Sequence, residues 1–114
     1  MEKHQDGIWI IDANGKTLYA NHRMAEILGT SAEEMIGEPS FVHVFPEDAS
    51  AAQGLFEAKQ RGDASRFHFR LRRKDGSAMW VDVQGTPMYN AAGVFTGIVG
   101  TFTVSPDENA GSPG

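Results

Sequence analysis

The sequence predicts an α+β domain: a five-stranded antiparallel sheet built from two strands, a run of short helices and then three strands, with the helices on one face. Three observations predict it. Phe67, Phe69 and Leu71 alternate with His68, Arg70 and Arg72, the period of two of a strand with one apolar and one charged face. Asp75-Gly76 then makes a hairpin turn, since Gly takes positive φ at no steric cost, and Met79–Val83 returns antiparallel. Between an N-terminal hairpin and this central one, the apolar spacing is helical.

Taken in order, Gly7-Ile8-Trp9-Ile10-Ile11-Asp12 is a short apolar run rich in β-formers and reads as a buried strand. Asn14-Gly15 suits a tight turn, and Thr17–Ala20 is the return strand. Asn21 is a good N-cap for a helix through Met24, Ile27 and Leu28, whose spacing makes one apolar stripe. Gly29 closes that helix in a left-handed conformation. Thr30 or Ser31 opens a second short helix, with Glu33 or Glu34 three residues on as a capping-box partner, and Gly37 and Pro39 end it. Phe41–Phe45 is an apolar patch broken by Pro46. Pro46-Glu47-Asp48 starts a longer helix, with acids beside the positive end of its dipole, running through Ala51, Ala52, Leu55, Phe56 and Ala58 to Gly62. After the central hairpin, the turn Asn90–Gly93 leads to a last strand, Phe95 to Val104.

Residues 1–6 are thus a flank, 7–104 the domain, and 105–114, which has lost its hydrophobicity, a linker or tail. The helical insertion has to span from one side of the sheet to the other. It lies over the concave face like a lid, and a cavity can form beneath it.

Composition narrows the function. A chain of 114 residues holds one domain, and 40% apolar with 22% charged residues is ordinary for a globular protein. The absence of cysteine excludes disulfides, thiolate metal sites and a Cys nucleophile. No apolar run approaches the roughly 20 residues of a membrane span, and the polar start is no signal peptide. A cytoplasmic segment without direct membrane contact is expected, either alone or as part of a longer membrane-anchored chain.

Residues 1–63 carry 5 basic and 11 acidic side chains, whereas residues 64–114 carry 5 and 4. The basic cluster is Arg66, Arg70, Arg72, Arg73 and Lys74. In an acidic chain with no aromatics between the arginines on their own face, it reads as a solvated strand face paired with acids such as Asp82, not as a nucleic-acid surface. No G-x-S-x-G elbow, phosphate loop or H-E-x-x-H is present, and no acidic pair is marked by spacing as catalytic. A non-enzyme is expected.

Several short pieces now line up: Asp6-Gly7-Ile8 with Asn14-Gly15, Tyr19-Ala20-Asn21 opening a helix, Gly29 and Gly37 around Ser31–Ile36, and Pro46-Glu47-Asp48. Arg70–Ser77, Trp80-Val81-Asp82, Asn90–Gly93 and Gly97–Gly100 complete the series. In this order and spacing the chain resembles a Per-Arnt-Sim (PAS) sensory domain over about residues 5–104, and the version with Trp80 is similar to the large bacterial subgroup of two-component signalling. The resemblance implies a sensor or interaction module joined to a histidine kinase, diguanylate cyclase or transcription factor. It also implies a homodimer formed through flanking segments, with the last strand feeding an effector in the same chain. The family often carries Asp-Ile-Thr after the last strand, where this chain has Thr103-Val104-Ser105.

The resemblance also sorts cofactors. A light-oxygen-voltage flavin sensor needs a reactive cysteine, which is absent, and haem-binding relatives place a His on the helix before the central hairpin, where Pro46–Gly62 has none. No cofactor is the default, with non-covalent flavin or a small apolar metabolite left open. The candidate cavity lining is Met24, Ile27, Leu28, Met35, Val44, Phe56, Phe67, Phe69, Leu71, Ile98 and Phe102, together with His43, which could face the cavity as a ligand-contacting imidazole. The simpler expectation is that these side chains fill the core and that His43 is a hydrogen-bonded structural residue. Trp80 is expected to pack on a sheet face, His68 to be solvated, Asn21 to be a cap, and His4 and His22 to bind no metal.

Overall fold

The computed structural model describes residues 6–105, and these follow the expected order. Strands β1 (Gly7–Asp12) and β2 (Thr17–Ala20) precede helices α1 (His22–Leu28), α2 (Ala32–Met35) and α3 (Ala49–Gln60), and β3 (Arg66–Arg72), β4 (Ala78–Tyr89) and β5 (Phe95–Val104) come last. All five strands join one antiparallel sheet in the order β2-β1-β5-β4-β3. Apart from Asp6 and Ser105, the flank 1–6 and the tail 105–114 lie outside the described residues, as does His4.

Asn21 builds the first corner. Its Oδ1 accepts from the N–H of Met24 at 2.8 Å, capping α1, and from the N–H of Ile8 at 3.0 Å, while Nδ2 donates to the carbonyl of Asp6. One side chain thereby ties the helix start to the beginning of β1. At the other end Gly29 takes φ 72°, and the central hairpin reaches over to finish the helix. Arg73 Nε donates to the carbonyl of Ile27 at 3.0 Å and the Lys74 N–H to that of Leu28 at 2.8 Å, so the last carbonyls of α1 find cationic or backbone donors.

α2 starts at Ser31, whose hydroxyl accepts from the Glu34 N–H. Glu34 does not return the bond to Ser31, as a capping box would. Its carboxylate accepts instead from Thr30 Oγ1 and from Lys74 Nζ.

Two boundaries differ from the expectation. Pro46–Asp48 forms a 3₁₀ turn and α3 begins only at Ala49, with no side-chain cap on it. The tighter i→i+3 bonding gives the Asp48 N–H a partner, the carbonyl of Phe45 at 2.8 Å, in a turn that Pro46 cannot serve as donor. The apolar patch before it holds a second 3₁₀ turn, Ser40–His43. β4 runs beyond Val83 to Tyr89, passing through Pro87. Pairing with β3 stops at Gln84, so Pro87 lies where β4 is paired only to β5, an edge position that tolerates a missing N–H.

Arg70, Arg73 and Lys74 of the basic cluster make tertiary contacts and none of them pairs with Asp82, while Arg66 and Arg72 are exposed. Arg70 sits on Asp48 at 2.9 Å and on Glu47 at 3.4 Å, with its guanidinium 4.4 Å from the Phe45 ring centre. Asp82 pairs with His68 at 2.8 Å, and His68 stacks on Trp80 with ring centres 5.0 Å apart, on the sheet face opposite Val81 and Val83.

Candidate functional site

The inner face of the sheet meets the helices in two halves of different character. Toward α1 and α2 the packing is dense. Met24, Ile27, Leu28 and Met35 are each no more than 1% exposed and pack with Trp9, Leu71, Val81 and Phe102. Four of the residues expected to line a cavity are therefore core filling. His43, the fifth outside the cavity, is buried against Trp9, with its Nδ1 3.0 Å from the carbonyl of Arg72. A carbonyl can only accept, so Nδ1 carries the proton and the imidazole fastens the Ser40–His43 turn to the end of β3.

Toward α3 the filling is incomplete. A cavity of about 130 Å³ lies between α3, the Ser40–His43 turn and strands β1, β3, β4 and β5. Seven of the expected residues meet there: Val44, Phe56, Phe67, Phe69, Leu71, Ile98 and Phe102. Gly85 of β4 and Gly100 of β5 face each other in register on the inner side, and the space above them is taken by the Lys59 stem and the Phe102 ring, both of which line the cavity.

Sequence reasoning missed Lys59, which also lines this cavity at 3% exposure. Its aliphatic stem covers the gap at Gly85, where an added Cβ would sit 3.1 Å from Lys59 Cε. Its Nζ donates to the carbonyl of Ser65 at 2.8 Å and stands 5.3 Å from the centre of the Phe67 ring. Burial lowers its pKa from the ordinary lysine value, and Asp63 partly opposes that shift. The signal was present: Ala52, Leu55, Phe56 and Lys59 all line the cavity, and they stand at i, i+3, i+4 and i+7. Lys59 is thus the end of the apolar stripe, not part of the solvated face. Trp9, Ile11, Phe41 and Val83 complete the apolar wall. Trp9 is held by a buried bond from its Nε1 to Thr17 Oγ1 at 2.9 Å.

Neither large cofactor fits. Sites for drug-sized ligands begin near roughly 300 Å³, and this cavity has less than half of that. The chain has no cysteine and α3 no histidine. Among the described residues no group of three His, Cys, Asp or Glu could hold a metal, and no helix is long and apolar enough to cross a membrane.

Relatives share this architecture. An uncharacterised protein of Sinorhizobium fredii is 32% identical over 94 residues, covering 82% of this chain and 11% of its own length. The C4-dicarboxylate transport sensor protein DctS of Rhodobacter capsulatus is 33% identical over 95 residues, covering 79% of this chain and 14% of its own length. This chain therefore spans a small part of the curated relatives it matches. The solved structure of a sensory box histidine kinase/response regulator from Burkholderia thailandensis superposes with a TM-score of 0.74 at 21% identity, over 95% of this chain and 82% of that one. The family model for the PAS fold matches residues 1–104. The chain belongs to the PAS family and is a sensory domain of that fold.

Proposed function

We propose that this domain is a ligand-sensing input module of a longer bacterial signalling protein, such as a cytoplasmic sensor histidine kinase. In this reading a small molecule entering the cavity biases the helices and β5 between two arrangements. The carrying observation is that one cavity is walled both by α3 and by β5, through Ile98, Gly100 and Phe102. A ligand there touches α3 and the strand that leads toward the attached effector. The small share of each curated relative that the domain spans agrees with an effector elsewhere in the same chain. A non-catalytic role fits the lining, in which Lys59 and Ser40 are the polar residues and no acid–base pair converges.

Thermal unfolding of the purified domain against a metabolite library, with native mass spectrometry, tests the reading. At least one compound at tenfold its Kd is expected to raise Tm by several degrees and to add its mass one to one. No shift and no added mass across the library would discard it.

A second reading, a ligand-free module that relays by dimerisation, is favoured by the outer face of the sheet. There Tyr19 is 48% exposed, and Ile8, Ile10 and Val99 are only half-buried. It predicts a homodimer once flanking sequence is included, measurable by sedimentation. A strict monomer at all concentrations would end it.

A further inference from the structure

We propose that the cavity takes a small aromatic monocarboxylate, with its ring among the phenylalanines and its carboxylate accepting from Lys59 Nζ. The inference rests on the sensing reading and narrows it to a ligand class.

An ammonium group has three donors and no acceptor. In Lys59 one donor is used on the carbonyl of Ser65, and the group stands near the face of Phe67, a weak partner for a full charge. No carboxylate lies within ion-pair distance of it among the described residues. The nearest charge that acts on it, Asp63, has its own carboxylate accepting from the Ser65 N–H at 2.8 Å. The cavity thus has one buried cation on an otherwise almost wholly apolar wall, and burying an unpaired charge is costly. A leucine or methionine at this position would continue the apolar stripe. Lysine instead places a positive charge where an occupant's anion would complete the ion pair.

Size and lining set the rest of the ligand. A cavity of about 150 Å³ lined by Leu, Ile and Phe holds benzene, so about 130 Å³ limits the apolar body of the ligand to no more than a single ring. Phe56, Phe67, Phe69, Phe102 and Trp9 surround that space with ring faces and edges, suiting an aromatic body. One cation calls for one anion, and apart from the Ser40 hydroxyl the remainder of the lining is apolar and offers no charge for a second carboxylate.

The test is calorimetric titration with benzoate, its neutral isostere benzamide, toluene and succinate, on the wild-type domain and on Lys59→Met, which keeps the stem. Wild type is expected to bind benzoate at least tenfold more tightly than benzamide and succinate no better than background. In Lys59→Met that preference is expected to vanish while toluene binds as before. In parallel, the Lys59 Cε and Nζ resonances of the wild type should move with benzoate and not with benzamide, a readout that stands even if the variant fails to fold. Equal affinity for benzoate and benzamide, a preference surviving in Lys59→Met, or succinate outcompeting benzoate would each overturn the ligand class while leaving a binding cavity in place. If none of the four probes binds, the ligand class falls, and the library screen then decides whether the sensing reading falls with it.

Discussion

Thr17 is 2% exposed on β2 because the indole of Trp9 needs an acceptor there. Thr17→Val keeps the shape and deletes the acceptor, leaving a buried N–H unpaired. The expected loss is about 1–3 kcal/mol in a urea titration followed by tryptophan fluorescence, whereas Thr17→Ser should lose less. Asn21 supports two elements at once. Asn21→Ala is expected to cost about 2 kcal/mol, the upper end for a cap, since the Ile8 N–H loses its partner along with that of Met24. Asn21→Asp keeps the acceptor and should recover much of it, and a cost for Asn21→Ala below about 0.5 kcal/mol would show the cross-link to β1 to be idle. The cap was legible in the sequence because it is local. The bond to Ile8 was not, since it joins residues 13 apart and exists only once β1 lies beside α1.

Among the elements, strand and helix identities were readable because period and turn chemistry agree in each. Asp75-Gly76 and Asn14-Gly15 sit between runs of the matching period. What escaped was the division of the interior. Met24, Ile27, Leu28 and Met35 look like cavity lining in a list of apolar residues, and only the topology shows that α1 and α2 seal their half while the half beneath α3 stays incompletely filled. The β1–β5 ladder carries a further constraint that sequence cannot display. Gly97 faces Asp12 in register, and a Cβ there would collide with the carbonyl oxygen of Ile11, which is backbone and cannot swing aside. Gly97→Ala is expected to lose about 3 kcal/mol or more in chemical denaturation. Gly93→Ala, also at positive φ but with nothing within 4 Å, should lose only about 1 kcal/mol. Equal losses at the two positions would show that the close approach does not matter.

At the scale of the whole molecule, three exposed carboxylates contribute to the acid limb of stability. Lys74 and Thr30 hold Glu34 below the usual range, the Ser65 N–H does so for Asp63, and the Ser77 hydroxyl and N–H for Asp75. Each binds its proton less readily in the folded chain than in the unfolded one. Their contribution is therefore present above the unfolded values, near 4, and drains away as pH falls through the lowered folded ones. Urea midpoints measured from pH 6 to pH 2 should decline below about pH 4, and Lys74→Met should flatten part of that slope. A slope unchanged by that substitution would remove Glu34 from the account.

The central place of β5 has one last consequence. Gly7 at the head of β1 pairs with Phe102 near the foot of β5, and Thr103 Oγ1 reaches Asp6. Whatever polypeptide is spliced upstream and downstream therefore emerges shoulder to shoulder, like the two handles of a pair of scissors.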